Sequence, residues 1–307
     1  MKAYGICPAS CGEFVQGILD ENKEYLCSYA VNMYSTVKVE EKLKNIDIGP
    51  KKSRRAIEKV FEKFNLPVKE TKNISLNICS NIPIGKGMAS STADIGATIK
   101  ATLCLIDKSL TNEEISVLAA EIEPTDSIFI EEGNVFNPLN GKVKKNLGNI
   151  TNSRVVVLEP NRTLDTIELR KISNYNELKL KNADITKEAF RLLEQGIKNN
   201  DLTMVGNACT MSSLANESIV KKQYLREIIE ISKQYGAYGV NIAHSGTVVG
   251  ILIDQFMNDI RLIEMLTEKK INLAYNNIYT LDIVHGGIRG EKDGIHKKSY
   301  EDRRKKL

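Results

Sequence analysis

The stretch Asn81-Ile-Pro-Ile-Gly-Lys-Gly-Met-Ala-Ser-Ser-Thr-Ala-Asp94 decides the fold of this chain and points to its chemistry. An alternating apolar run over 74–78 precedes it, and a run of small and apolar residues over 93–105 follows it. The first run is typical of a half-buried strand, and the second is long enough for a helix. Because Gly85 and Gly87 carry no Cβ, their backbone amides can approach a ligand closely. The stretch therefore predicts a glycine-rich loop between a strand and a helix.

The hydroxyl residues at the end of this loop indicate its chemistry. Ser90, Ser91 and Thr92 lie where a helix leaves its first amides unpaired, so they can cap those amides or present hydroxyls to an anion. Free amides at a helix N-terminus favour phosphate. The chain contains no G-x-x-x-x-G-K-[ST] string, and the G-x-G-x-x-G pattern fails at Ser90. A phosphate-binding loop and a simple glycine turn before a capped helix remain as interpretations.

Length and composition limit the class of protein. The chain has 307 residues, of which 42% are apolar and 27% are charged, and its net charge is +4. These values are typical of a soluble globular protein with one large domain or two of ordinary size. Six scattered cysteines without a C-x-x-C pair, and the lack of a signal pattern, predict a cytoplasmic protein with reduced thiols. No apolar run of roughly 18 residues and no basic, aromatic platform occur, so we expect neither a membrane nor a nucleic-acid partner.

Periodicity and turn residues predict the remaining elements. Pro, Gly and Ser interrupt residues 1–20, which predicts a tight β-hairpin there with its second strand over 14–19. Helices are predicted over 51–65, from the capping box at 111–114 to 122, and over 184–200, 202–217, 221–235 and 259–269. Further strands are predicted over 30–39, 73–80 and 277–284, from 154 onward, and on both sides of the turn at 244–247.

Two carboxylates lie in the turn after the helix that begins at the capping box. Pro124 ends that helix, which places Glu123 and Asp126 in a short turn instead of on a helical surface. Taken alone, this pattern is typical of solvated side chains. A functional interpretation of this turn depends on the other motifs of the chain.

Three motifs resemble those of the GHMP kinases, the family of galacto-, homoserine, mevalonate and phosphomevalonate kinases. Pro83-x-x-x-Gly-Met-Ala-Ser-Ser-Thr-Ala93 is similar to the family signature P-x-x-x-G-L-G-S-S-A-A, with Met88 for leucine and Ala89 for the second glycine. Pro8-Ala-Ser-x-x-Glu-x-x-x-Gly17 resembles the first family motif, and the glycine-rich turn at 244–247 resembles the third.

The resemblance implies an α+β protein with the GHMP kinase fold. Its N-terminal lobe would be like ribosomal protein S5 domain 2, and its C-terminal lobe would be ferredoxin-like. We place the ATP-binding lobe at 1–150, the second lobe at 151–288 and a basic, mobile tail at 289–307. ATP and Mg²⁺ are the implied cofactors, and a small-molecule alcohol is the implied acceptor.

The resemblance also implies roles for individual residues. The residues expected to bind the ATP phosphates are Pro83, Gly85, Lys86, Gly87, Met88, Ala89, Ser90, Ser91 and Thr92. Mg²⁺ is expected on Ser91 (or Ser90) and on Glu123, with Glu121 and Glu114 as alternatives. Asp126 is expected to face the acceptor hydroxyl and to accept its proton.

A further set of residues is expected to bind the acceptor. They are Ser10, Glu13, Gln16, His244, Ser245, Gly246 and Thr247. Ser10 stands where mevalonate kinases carry a lysine, so this chain lacks that lysine. Glu13 stands where homoserine kinases carry asparagine, and a carboxylate suits an ammonium or a hydroxyl. For His244, a purely structural role in the turn stays open.

Three strings together resemble the L-threonine kinases of cobalamin biosynthesis. They are Cys7-Pro-Ala-Ser-Cys-Gly-Glu13, the loop over 85–94, and Glu123-Pro-Thr-Asp-Ser127. This resemblance implies ATP-dependent phosphorylation of the L-threonine side chain to O-phospho-L-threonine, for the aminopropanol arm of cobalamin biosynthesis. Two alternatives stay open: a homoserine kinase, and a non-catalytic small-molecule sensor of the same fold.

Overall fold

The computed structural model describes residues 1–20, 22–42, 49–150, 152–161, 175–244 and 246–292. The strands in these ranges are β1 Lys2–Ile18, β2 Glu24–Glu41, β3 Ile74–Ser80, β4 Gly133–Asn137, β5 Lys142–Gly148, β6 Ser153–Glu159, β7 Gly239–Ile242, β8 Val249–Asp254, β9 Asn277–Val284 and β10 Arg289–Lys292. The α-helices are α1 Lys51–Lys63, α2 Ser90–Leu105, α3 Asn112–Ala120, α4 Tyr175–Lys181, α5 Ala183–Lys198, α6 Leu202–Glu217, α7 Leu225–Tyr235 and α8 Asp259–Glu268. Short 3₁₀ helices are formed by Val68–Asn73, Ser127–Phe129 and Ile271–Leu273.

The sheet is organised around the long antiparallel pair β1 and β2. In its first half, β1 pairs with β2 from Lys2 opposite Glu40 onward, and β3 and β10 flank this part. In its second half, β7 joins β1, and β9 and β4 join β2. Since β7, β8, β6 and β9 are also paired in that order, six strands form a closed circuit of pairings. The site described below lies where β1 passes from one half to the other.

The predicted tight hairpin within residues 1–20 is wrong. Lys2–Ile18 form one continuous strand, and the chain reverses between Ile18 and Glu24. The proline and glycine residues lie at or near bulges of this strand, which has register shifts after Pro8 and on both sides of Glu13. Bulges bend a strand and redirect its side chains without ending it.

Helix α2 is the centre of the first core. It is buried nearly all round and packs on β1, where a Cβ added to Gly5 would lie 2.0 Å from the carbonyl oxygen of Ala97. A second core lies between the β6–β7–β8 strands and the helices α7 and α8, and it includes Ile228, Ile251 and Leu262. Burial of each such aliphatic side chain contributes about 1.5–3 kcal/mol. Among the described helices, none is long and apolar enough to cross a membrane.

The C-terminal stretch differs from the predicted tail at its start. Arg289–Lys292 form β10, which pairs antiparallel with the stretch of β1 from Ala3 to Ile6. Backbone pairing with an edge strand does not need apolar side chains, so the charged composition of this stretch hid the strand. Residues 293–307 lie outside the described part of the chain. The lobe boundary near residue 150 stays a prediction.

Candidate active site

The predicted phosphate loop connects β3 to α2. Gly85, Gly87 and Ala89 have φ angles of 70°, 84° and 60°, in the left-handed region that favours glycine. Ala89 is the N-cap residue of α2, and no side chain of the described residues caps this N-terminus. Ser90 and Ser91 therefore belong to the first turn of the helix. The first amides of α2 have the arrangement that anion binding at a helix N-terminus requires.

The turn between β7 and β8 packs directly on this loop. The carbonyl of Lys86 accepts a hydrogen bond from the amide of Thr247 at 2.8 Å. A Cβ added to Gly246 would lie 2.2 Å from the Cα of Gly87, so this approach depends on glycine. The structure thus brings Gly246 and Thr247 to the loop, and their expected contact with the acceptor stays a prediction. Ser245, also expected in the site, lies outside the described residues.

Two side chains of the loop are buried away from its amides. The Lys86 ammonium donates to the carbonyl of Pro160 at 2.5 Å and lies 3.6 Å from the Glu159 carboxylate. Met88 is fully buried, and its sulfur accepts a hydrogen bond from the Tyr279 hydroxyl at 3.5 Å. The phosphate contacts expected of these two side chains stay predictions, and the backbone of the loop is the better-placed donor.

Ser91, Glu123 and Lys52 meet beside the N-terminus of α2. The Ser91 hydroxyl donates a hydrogen bond to one carboxylate oxygen of Glu123. The Lys52 ammonium donates to the other oxygen at 2.5 Å and to the Ser91 hydroxyl at 3.3 Å. Hydroxyl and carboxylate oxygens are the ligands that Mg²⁺ prefers, and the ammonium stands in for a cation at this position. Ser91 and Glu123 therefore fit the expected metal.

The alternative metal ligands are engaged elsewhere. The Glu114 carboxylate accepts a hydrogen bond from the Thr111 amide at 2.9 Å, which completes the predicted capping box. The Glu121 carboxylate pairs with the Lys59 ammonium at 2.6 Å. Of the three candidates named from the sequence, Glu123 is the one whose carboxylate reaches the first turn of α2.

Asp94 is a second carboxylate in this neighbourhood. The Ser35 hydroxyl donates to it at 2.5 Å. Burial raises the pKa of Asp94, the hydrogen bond from Ser35 lowers it, and the charge of Glu123 raises it again. A bound divalent cation would offset that repulsion. Within the described residues no three His, Cys, Asp or Glu side chains are grouped to hold a metal, and Mg²⁺ commonly uses one or two carboxylates together with substrate phosphates.

Asp126 and Glu13 form a hydrogen-bonded carboxyl pair. Burial raises the pKa of Glu13 well above its ordinary range, and the charge of Asp126 raises it further, although the His244 amide donates to Glu13 at 2.6 Å. Burial also raises the pKa of Asp126, to about 6, against the lowering effect of its hydrogen bonds with Glu13 and Thr92. Two carboxyl groups in contact cannot both ionise freely, because their negative charges repel each other. Glu13 therefore carries the shared proton, and Asp126 is a base poised near neutral pH.

Gln16 and His244 connect this pair to a buried charged cluster. The Gln16 side-chain oxygen lies 2.5 Å from His244 Nδ1, and His244 Nε2 lies 2.6 Å from the Glu24 carboxylate. The Lys179 ammonium lies 2.7 Å from the same carboxylate and contacts the ring of Tyr175. Glu24 and Lys179 are only 7% and 3% exposed, so each needs the other as a partner. His244 thus has a structural role whatever its contact with an acceptor.

Ser10 and Lys222 complete the surroundings of the loop. The Ser10 amide donates to the Met88 carbonyl at 3.2 Å, but the Ser10 hydroxyl is buried and has no hydrogen-bond partner among the described residues. An unpaired buried hydroxyl costs about 1–3 kcal/mol, so a ligand atom is its expected partner. The buried Lys222 ammonium donates to the Gly246 carbonyl at 2.5 Å. Its charge also lowers the pKa of Glu13, though less than burial raises it.

Sequence reasoning missed several of these residues. Lys52 belongs to no motif, and its contact with Glu123 depends on how α1 packs beside the turn that follows α3. Glu24, Lys179 and Lys222 carry no motif, since isolated charged residues are usually exposed. A buried Lys can be recognised only when its tertiary partner is known.

The chain matches the family models of the GHMP kinases N terminal domain over residues 51–133 and of the GHMP kinases C terminal domain over residues 192–272. It is 33% identical to an L-threonine kinase from Citrobacter freundii over 93% of this chain and 99% of that protein. It is also 33% identical to an L-threonine kinase from Salmonella typhimurium, over 94% of this chain and 95% of that protein.

The structure resembles that of homoserine kinase from Cytophaga hutchinsonii, with a TM-score of 0.68 and 16% identity over 94% of this chain and 97% of the other. That likeness shows the fold alone, and it confirms the predicted α+β architecture. The two domain matches and the identity to relatives of similar length extend the resemblance from fold to sequence. The chain belongs to the GHMP kinase family and is a small-molecule kinase.

Proposed function

We propose that this protein transfers the γ-phosphoryl group of ATP to the side-chain hydroxyl of L-threonine. The observation that carries the proposal is the identity of 33% to two L-threonine kinases over nearly the whole length of all three chains. The product would be O-phospho-L-threonine, and the resemblance of the motifs supports a place in the aminopropanol arm of cobalamin biosynthesis. Phosphoryl transfer requires mainly positioning and charge stabilisation, and the residues around α2 suit both tasks.

The phosphates of ATP would bind at the glycine-rich loop and the N-terminus of α2. The helix dipole and the first amides of α2 favour negative charge there. Mg²⁺, when bound, would neutralise charge that develops on the phosphates. Ser91 and Glu123 would hold it, because one oxygen of each already contacts the Lys52 ammonium.

Asp126 would accept the proton of the threonine hydroxyl as the new O–P bond forms and the bond to ADP breaks. Its pKa of about 6 makes it both largely ionised and still basic at neutral pH. Glu13, which carries the proton of the carboxyl pair, would donate a hydrogen bond to Asp126. This hydrogen bond would fix the orientation of the Asp126 carboxylate toward the substrate hydroxyl. A positioned base of this kind contributes typically about 10²–10⁴-fold to the rate.

The amino-acid head group of the acceptor would bind beside Ser10 and the turn that follows β7. The unpaired Ser10 hydroxyl offers one hydrogen bond, and the loop at His244 offers polar groups nearby. Homoserine carries the same head group and a longer hydroxyl arm, and a homoserine kinase shares this fold. Homoserine is therefore the second acceptor to test.

The test is to measure ADP release from ATP and Mg²⁺ with L-threonine, L-homoserine, L-serine and mevalonate as acceptors. We expect clear preference for L-threonine, identification of O-phospho-L-threonine by mass spectrometry, and loss of about 10²–10⁴-fold in turnover in Asp126→Asn. Preference for homoserine would overturn the acceptor and keep the reaction class. Nucleotide binding without turnover on any acceptor would favour a sensor, and full activity of Asp126→Asn would remove the base from the mechanism.

A further inference from the structure

Lys52 occupies the cation position of the site. Its ammonium nitrogen lies 2.5 Å from one oxygen of Glu123 and 3.3 Å from the Ser91 hydroxyl, and Ser91 donates to the other oxygen of Glu123. The same hydroxyl and carboxylate are the atoms that the proposed function assigns to Mg²⁺. An ammonium hydrogen-bonded to these oxygens and a metal coordinated by them compete, because two cations beside the same oxygens repel each other.

A neighbouring ion pair shows that this placement is specific to Lys52. Lys59 lies on the same helix and pairs with Glu121 at 2.6 Å, in the same chain segment as Glu123. The two pairs therefore join α1 to the end of α3 at nearly equal distances. Only the pair at Lys52 includes a hydroxyl of the first turn of α2, where phosphates would bind.

The position of Lys52 gives it a second partner within reach. Its side chain is 51% exposed, so it can move without disturbing the core. Lysine has a flexible four-carbon stem and a compact charge, and it serves as a phosphate ligand in other sites. Phosphates bound at the N-terminus of α2 would lie beside Ser91, which the ammonium already contacts.

We infer that Lys52 and Mg²⁺ compete for Ser91 and Glu123, and that Lys52 passes to the ATP phosphates when Mg²⁺ takes these two ligands. The inference rests on the proposed use of Mg·ATP and adds a residue and an order of events to it. Lys52 satisfies the carboxylate of Glu123 until the metal arrives. It then offsets phosphate charge that the metal leaves uncompensated.

The inference predicts shifts of opposite sign for two ligands. Lys52→Met keeps the apolar stem and removes the charge. Without the competing ammonium, Mn²⁺ alone should bind about tenfold more tightly, which is the effect of about 1.4 kcal/mol. Without the phosphate contact, Mg·ATP should bind about tenfold or more weakly, as expected for loss of a charge-assisted hydrogen bond. Lys59→Met is the matched control and should change either affinity less than about twofold.

Both affinities can be measured without turnover. Electron paramagnetic resonance of free Mn²⁺ reports metal binding, and titration calorimetry with a non-hydrolysable ATP analogue and Mg²⁺ reports nucleotide binding. Circular dichroism melting checks that both variants fold, as we expect because one partner of each ion pair is about half exposed.

Each result decides the matter. Tighter Mn²⁺ binding with weaker Mg·ATP binding in Lys52→Met supports the exchange. Shifts of the same sign, or no shift while the wild type binds Mg·ATP, overturn it and leave the proposed function intact. Failure of the wild type to bind Mg·ATP overturns the proposed function and the exchange together.

Discussion

Two buried groups of charged or titratable side chains meet at His244, and they differ in the signs of the charges that they bring together. On one side its backbone amide donates to Glu13, which is hydrogen-bonded to Asp126. On the other side its ring contacts Glu24, whose carboxylate pairs with the Lys179 ammonium. The first group joins two acids, and the second joins an acid to a base.

The difference separates a reactive group from a structural one. Burial raises the pKa of both joined acids, and the charge of Asp126 raises that of Glu13 further, so Glu13 holds a proton and Asp126 can exchange one near neutral pH. A buried acid and base stabilise each other's charged forms, and removal of either takes the opposite charge away from the other. We therefore expect the carboxyl pair to control rate and its pH dependence, and the charged cluster to control stability.

Breaking the charged cluster should have the largest effect on stability. Lys179→Met leaves the Glu24 carboxylate buried without its ammonium, and we expect the free energy of unfolding to fall by about 3–5 kcal/mol in urea denaturation. Lys145→Met is the control, because Lys145 and Glu194 lie 2.5 Å apart, close to the 2.7 Å between Lys179 and Glu24, but are 52% and 43% exposed. That variant should lose less than about 1 kcal/mol. Equal losses of unfolding free energy in the two variants would show that the buried cluster stabilises the fold no more than an exposed ion pair does.

Removal of the charge of Asp126 should increase the stability of the protein, whereas Lys179→Met should decrease it. The pKa of Asp126 is about 6 in the folded protein, above the ordinary value near 4 for an unfolded chain. Its contribution to stability is therefore fully present below pH about 4 and is lost as the pH rises through about 6. Asp126→Asn cannot ionise, so it should be more stable than the wild type at pH 8, by about 2–3 kcal/mol, and should lose this advantage at pH 4. A melting temperature below that of the wild type at pH 8 would contradict the assignment.

The pH profile of turnover should follow the same carboxyl group. Only ionised Asp126 can accept the hydroxyl proton, so the rate at saturating substrate should fall about tenfold per pH unit below about 6. A rate that is independent of pH between 5 and 7 would remove Asp126 as the base.

Variants at Glu13 should give the smallest effect, a shift in the midpoint of the pH profile of turnover. Glu13→Gln keeps a donor for Asp126 and an acceptor for the His244 amide, so the midpoint near 6 should stay nearly unchanged. Glu13→Ala removes the hydrogen bond that lowers the pKa of Asp126, and the midpoint should rise by about one unit, as expected for about 1.4 kcal/mol. A fall of the midpoint in Glu13→Ala would mean that charge on Glu13, and not its hydrogen bond, dominates.

The sequence predicted the parts of the fold that depend on local pattern. The helices with one apolar face, the capping box at Thr111 and the strand Asn277–Val284 are confirmed, because periodicity and caps act within a few residues. The continuity of β1 was missed because Pro8 and Gly12 interrupt the pattern without ending the strand. Bulges become visible only when the partner strand is known.

The candidate site divides in the same way. Asp126, Glu123 and the loop after β3 were named because short strings of the sequence resemble motifs of the family. The partners that set their chemistry come from distant segments: Glu13 on β1 for Asp126, and Lys52 on α1 for Glu123. A pKa or an ion pair depends on such tertiary contacts, so no reading of a single motif could supply it.

The hairpin of β1 and β2 has a consequence for how the molecule can be divided. Its first half pairs with β3 and β10 and its second half with β7 and β9, so strands from both ends of the chain close on the same two strands. Neither half retains a complete sheet when the chain is cut near residue 150. The protein should therefore melt in one cooperative transition, and its two fragments should gain structure only when mixed.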